Sequence, residues 1–245
     1  MMQRKSTVHK KILVFLLFVF IPLGLFAGEY DLNVIDTPKA AAAYKGDMKF
    51  GFSIYDGGGI LTSAILAISD YAFLGVYFDA DHVIGSETPR LNQPGVIARF
   101  LVSDGSTSLP PIAIGYSYFM TGNMGKVDGS IVNGFYVVAS QGFYLLGMEQ
   151  GFSYGFRYPV IPLEYSDPEN LTVFLGTDVQ VSPEFSLKGE IENIHFARER
   201  WPENYYNFGA NFNIVDLISI SLDFKYTPLT KRMIRNLTIG YFTQF

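Results

Sequence analysis

Asn236-Leu237-Thr238-Ile239-Gly240-Tyr241-Phe242-Thr243-Gln244-Phe245 decides the fold of this chain. Leu237, Ile239 and Tyr241 alternate with Thr238, Gly240 and Phe242, and the last residue is aromatic. Successive side chains on a strand point to opposite faces, so the run has one apolar face and one small or polar face. An apolar outward face on a strand that ends on an aromatic fits the closing strand of a transmembrane β-barrel.

The same period of two recurs upstream. Met48, Phe50, Phe52 and Ile54 oppose Lys49, Gly51 and Ser53, and Leu74, Val76, Phe78 and Ala80 oppose Gly75, Tyr77, Asp79 and Asp81. Near the other end, Ile218, Ile220, Leu222 and Phe224 oppose Ser219, Ser221, Asp223 and Lys225. Strands are expected at 47–55, 60–69 (with weaker alternation), 72–81, 95–103, 112–120, 133–140, 143–154, 171–182, 185–194, 205–214, 217–226 and 236–245. That is an all-β chain with about 12 antiparallel strands, and an even count suits a single-chain barrel.

The connections sort by length. Periplasmic turns are expected near 69–71, 104–110, 141–142, 183–184 and 215–216, four of the five very short, and external loops at 56–59, 82–94, 121–132, 155–170, 195–204 and 227–235, all but the first long. Short turns at one end and long loops at the other are the pattern of outer-membrane barrels. Tyr116, Tyr118, Tyr154, Tyr158, Tyr205, Tyr206 and Tyr226 are expected in an interfacial aromatic girdle. The terminal strand resembles the carboxy-terminal signature of bacterial outer-membrane barrels. That resemblance implies an assembly signal at Tyr241 and Phe245 and the barrel-assembly machinery as a partner.

At the other end, Arg4, Lys5, Lys10 and Lys11 precede an apolar run over 12–26 that closes on Ala27 and Gly28. Its roughly 15 residues fall short of the ~20 a membrane-spanning helix needs, so residues 1–27 read as a cleaved signal peptide. Residues 28–46 read as a periplasmic lead, lying beneath the barrel or tucked into its lumen, and 47–245 as the barrel. Without residues 1–27 the chain keeps 14 basic residues against 23 acidic ones, a formal charge of −9. That balance argues against nucleic acid as a partner. No cysteine is present, which excludes disulfides and thiolate chemistry.

Asp36-Thr37-Pro38, Gly57-Gly58-Gly59, Leu74-Gly75, Ile84-Gly85, Pro94-Gly95-Val96 and Pro111-Ile112-Ala113-Ile114-Gly115 follow one another in order. This series resembles the barrel repeat of YjbH-like outer-membrane proteins, which implies an association with exopolysaccharide export and its envelope components.

Inward charges are expected at Lys49, Asp79, Asp81, Arg99, Glu149, Arg157, Asp178, Lys188, Glu190, Glu192, Asp223 and Lys225. Both signs are present, a composition that fits ion pairs filling a narrow lumen. Twelve strands enclose more room than the ~8 whose side chains can fill the interior, and less than a ~16-stranded porin. The expected function is therefore a small-solute channel, or a structural or export-associated component, in the outer membrane in contact with lipid and lipopolysaccharide. Lys231, Arg232 and Arg235 form a basic cluster in the last external loop that could meet lipopolysaccharide phosphates or simply be solvated, and lipid contact is not assigned to them.

The alternative is an outer-membrane hydrolase. Asp79, Asp81 and His82, with Glu192 and His195, resemble the parts of the omptin proteases, which implies a water-activating site at the external rim. No cofactor is expected and no metal site, since two carboxylates at alternate strand positions are too few to hold calcium.

Overall fold

A computed structural model describes residues 32–41, 43–106, 108–121, 130–160, 171–196, 204–214 and 217–245. Its strands are β1 (Asp47–Tyr55), β2 (Gly59–Ser69), β3 (Ala72–Asp81), β4 (Arg90–Leu91), β5 (Gly95–Ser103), β6 (Ile112–Thr121) and β7 (Ser130–Leu145). They continue with β8 (Met148–Tyr158), β9 (Thr172–Ser182), β10 (Phe185–His195), β11 (Tyr205–Ile214), β12 (Ile218–Thr227) and β13 (Arg232–Gln244). The twelve long strands pair antiparallel in chain order. β1 closes the ring on β13, with Asp47 opposite Gln244 and Tyr55 opposite Asn236. Two-residue β4 only extends the sheet, beside Ala80 and Asp81. Closure leaves no free edge among the long strands, so their backbone groups are satisfied within the sheet, as a bilayer requires.

Every long strand turns large apolar side chains outward, among them Phe52, Leu66, Leu74, Phe100, Phe135 and Leu237. An apolar surface continuous around a barrel far exceeds the ~300–600 Å² patch typical of soluble monomers. Lipid is the solvent that suits it.

Inside, the lining differs from one side to the other. Leu61, Ile65, Ala67, Phe73, Tyr77, Ile97, Phe119 and Val132, from β2 to β7, pack into an apolar cluster. The Tyr77 and Phe119 rings stack at 4.6 Å. From β10 to β12 the buried residues include Ser186, Lys188, Glu190, Glu192, Asn207, Asn211, Ser219, Ser221, Asp223 and Lys225. This sidedness explains the weak alternation over 60–69: β2 is apolar on both faces, one toward lipid and one toward the inner cluster.

The strand positions hold with one displaced turn. Gln141 and Gly142 were expected to reverse the chain, but they lie within β7, opposite Phe152 and Gly151. The reversal falls at Leu146-Gly147, with φ of 55° and 80°. Positive φ at both central positions is the type I′ hairpin turn, which an extended Gln-Gly step does not provide. β8 therefore runs to Tyr158, placing Arg157 in the barrel wall and Tyr154 inside the strand. β13 likewise begins at Arg232, so Arg232 and Arg235 belong to a strand and only Lys231 stays in the loop. The expected turn at 215–216 lies outside the described residues, as do residues 1–31 and most of the expected loops at 121–132, 155–170 and 195–204.

The lumen and its hairpin as candidate functional site

Residues 32–41 lie inside the barrel. They form a small hairpin in which the Val34 N–H donates to the Thr37 carbonyl at 2.8 Å and the Lys39 N–H to the Leu32 carbonyl at 3.0 Å. Asn33 and Pro38 make a bridge between its arms. Leu32, Val34, Asp36, Thr37 and Ala40 are buried. The added room of twelve strands is thus taken up by the chain itself.

Each end of the hairpin meets a specific seat. At the tip, the N–H groups of Ile35, Asp36 and Thr37 all donate to the Glu190 carboxylate at 2.9–3.0 Å. Successive N–H groups aimed at one point make an anion cradle, here filled by a side chain of the barrel. Asn207 Nδ2 donates to Glu190 Oε1 at 2.6 Å. The Asp36 carboxylate accepts from Lys225 Nζ at 2.7 and 2.6 Å. Thr37 Oγ1 donates to Glu192 Oε1 at 3.0 Å, and Arg157 Nη1 donates to Glu192 Oε2 at 2.9 Å.

At the base, Arg99 Nη1 donates to the carbonyls of Leu32 and Lys39, both at 2.6 Å, and Nη2 donates to Asn33 Oδ1 at 2.8 Å. Its Nε donates to Tyr136 Oη at 2.8 Å, and its guanidinium lies 4.7 Å from the Phe73 ring centre. One planar cation thereby joins both arms of the hairpin and anchors them on the apolar wall. The Ala40 N–H donates to Ser140 Oγ at 2.8 Å, and Lys39 Nζ stands 2.8 Å from Asp178 Oδ1. Space for the tip comes from Gly176, where an added Cβ would lie 2.8 Å from Val34 Cγ2 and 3.0 Å from Thr37 Cγ2.

Other charges expected in the lumen are held elsewhere. Asp79 and Asp81 are buried near the long-loop end, where Tyr55 Oη donates to Oδ1 of each at 2.7 and 2.6 Å. Asn92 Nδ2, from the 82–94 loop, donates to both at 2.6 and 3.0 Å. Lys49 Nζ sits 4.9 Å from the Phe242 ring centre. Lys188 and Asp223 are buried on the polar wall, while Glu149 is half-buried near the short-turn end. Tyr241 faces outward, and the exposed Phe245 donates its N–H to the Gly46 carbonyl at 3.2 Å.

The residues of the hydrolase alternative are not gathered into one group. Asp79 and Asp81 stand on β3, and Glu192 and His195 stand on β10, half of the ring away. His82 Nε2 lies 3.4 Å from the exposed Glu87, and Glu192 is bound to Arg157. His195 is buried at the end of β10.

Among the described residues, the group with metal-like spacing is Asp36, Glu190 and Glu192, with ligand atoms within 4.8 Å of one another. Lys225 pairs with Asp36 and Arg157 with Glu192, while Glu190 accepts the hairpin N–H groups, so the three carboxylates already have partners in a salt-linked network. Asp36, Thr37 and Lys39 escape a search for alternation because they stand on no strand. Their one sequence signal is a polar Asp-Thr-Pro-Lys step in a lead otherwise rich in alanine.

No family model matches the chain, and no curated protein matches it. Solved structures do. The KdgM porin aligns with a TM-score of 0.50 at 9% identity, covering 80% of this chain and 98% of that one. The Acinetobacter baumannii outer membrane protein Omp33 aligns at 0.48 and 12% identity, covering 82% and 98%. The NanC porin aligns at 0.44 and 10%, covering 81% and 99%. The fold is a closed antiparallel twelve-stranded β-barrel like that of the KdgM porin. At these identities the likeness concerns the fold alone, and the YjbH-like resemblance rests on its own residues between Asp36 and Gly115.

Proposed function

We propose that the protein is an outer-membrane channel for small polar solutes and is not an enzyme. The observation that carries this reading is the polar lining from β10 to β12, behind an outer face that is apolar on every long strand. Part of this polar wall seats the hairpin through Glu190, Glu192 and Lys225, and a path for hydrated solutes calls for the lysines, carboxylates and amides along the rest of it. The porin fold of KdgM supports the same reading. Membrane lipid and lipopolysaccharide are then its surroundings, and Tyr241 with Phe245 is the signal for its assembly.

The test is single-channel recording of the refolded chain in a planar bilayer, with heat-modifiable gel mobility showing that the barrel is closed. Discrete currents whose ion selectivity changes with Lys49→Glu or Lys188→Glu are expected. A closed barrel that never conducts would refute the channel and favour a structural or export-associated role. Hydrolysis abolished by Asp79→Ala or His82→Ala would establish the enzyme instead.

A further inference from the structure

We propose that residues 32–41 are a displaceable plug that gates this channel, an inference that rests on the channel reading above. The hairpin is not part of the sheet. Among the described residues, its backbone groups bond to one another and to barrel side chains, namely Glu190, Ser140, Arg99 and Arg157, and to no strand backbone. Withdrawing it would leave all twelve strand pairings intact. A true barrel strand could not leave without opening the ring.

The chain just after the hairpin is fastened separately, at the rim where the short turns lie. The Gly46 N–H donates to the Ala67 carbonyl at 2.9 Å, and the Lys45 N–H donates to Asp70 Oδ1 at 2.8 Å. The Tyr44 N–H donates to Asp47 Oδ2 at 2.8 Å. The sequence between the hairpin and this rim is all alanine, with no polar side chain to bind a wall, and Ala43 packs against the apolar cluster. A plug held at its tip and base, joined by an apolar link to a fixed point at the mouth, has a path out of the lumen toward the periplasm.

The seat itself suits reversible release. Beside the apolar burial of Leu32, Val34 and Ala40, it works through side-chain ion pairs and hydrogen bonds: Lys225 to Asp36, Asp178 to Lys39, Glu190 to three N–H groups, and Arg99 to two carbonyls. Arg157 and Glu192 would remain paired with each other after the hairpin left, so this part of the wall keeps its charge balance in both states.

The chain contains no cysteine, so a single engineered disulfide can be read without interference. A Cβ built on Gly176 lies 3.2 Å from Thr37 Cβ. That is close to the ~3.5–4.5 Å spacing of a disulfide. Full-length protein carrying Thr37→Cys and Gly176→Cys is recorded in planar bilayers, oxidised and then reduced. Oxidation should hold the low-conductance level, and reduction should restore switching with at least about a tenfold rise in open probability. Asp36→Asn, without any staple, should raise open probability by about tenfold over the parent chain.

Equal conductance in the oxidised and reduced protein, with Asp36→Asn unchanged, overturns the gate and leaves the channel standing. Silence in the stapled, reduced and Asp36→Asn proteins, with the barrel closed on gels, overturns the channel itself.

Discussion

The two halves of the inner wall hold the same hairpin by different physics. From β2 to β7 the contact is apolar burial: Leu32 joins the cluster of Leu61, Phe73, Tyr77 and Ile97, and the Arg99 guanidinium reaches in. From β8 to β12 it is charge: Arg157, Glu190, Glu192 and Lys225 surround Asp36 and Thr37. Apolar burial is insensitive to ionic strength, whereas charge pairs respond to salt and to the loss of either partner. The apolar wall therefore sets how firmly the interior is packed, and the charged wall sets where the hairpin stands.

Phe73→Ala should have the largest effect. It removes a buried ring beneath both Leu32 and the Arg99 guanidinium, at a cost of about 3–5 kcal/mol in urea unfolding followed by gel mobility. The loss should be the same at low and high salt. A strong salt dependence would mean that the apolar wall does not act by burial.

Asp36→Ala comes next, because it leaves the Lys225 ammonium buried without its carboxylate; breaking such a pair costs about 3 kcal/mol. Hydrogen exchange at the Ile35, Asp36 and Thr37 amides should accelerate, while strand amides stay protected. Adding Lys225→Met should restore most of the protection. If Asp36→Ala alone leaves those amides slow, the charged wall does not position the tip.

Gly176→Val places methyl groups where Val34 and Thr37 now pack, with a cost of about 1–3 kcal/mol confined to the hairpin. Protease nicking within 32–41 should increase without loss of the closed-barrel band. Smallest of all is Lys39→Ala. The Lys39–Asp178 pair is partly exposed, with side chains 13% and 20% accessible, so its loss should cost only about 0.2–1 kcal/mol and vanish in high salt.

How much of this was legible in the sequence follows the same division. Alternation placed ten of the twelve long strands to within a few residues, because lipid demands an apolar side chain at every second outward position. The misplaced turn at Gln141-Gly142 shows where alternation is silent. Both Gln141-Gly142 and Leu146-Gly147 contain a glycine, and only the backbone shows that Leu146 carries the positive φ. Inward charges on the strands were legible by parity, Lys188, Glu190, Asp223 and Lys225 among them. Their partners were not. Asp36, Thr37 and Lys39 lie some 140 to 190 residues away from Glu190, Glu192, Asp178 and Lys225 along the chain, in a segment without a period.

Alternation along the chain is enough for the class of structure: a membrane barrel of twelve long antiparallel strands with short turns at one end. Its cause is a one-dimensional pattern, apolar outward and polar or small inward, which each strand carries independently of the others. Tertiary structure alone decided what fills the barrel. A lumen is defined only when β1 meets β13, and only then do an apolar wall and a charged wall face each other across a space that residues 32–41 can occupy.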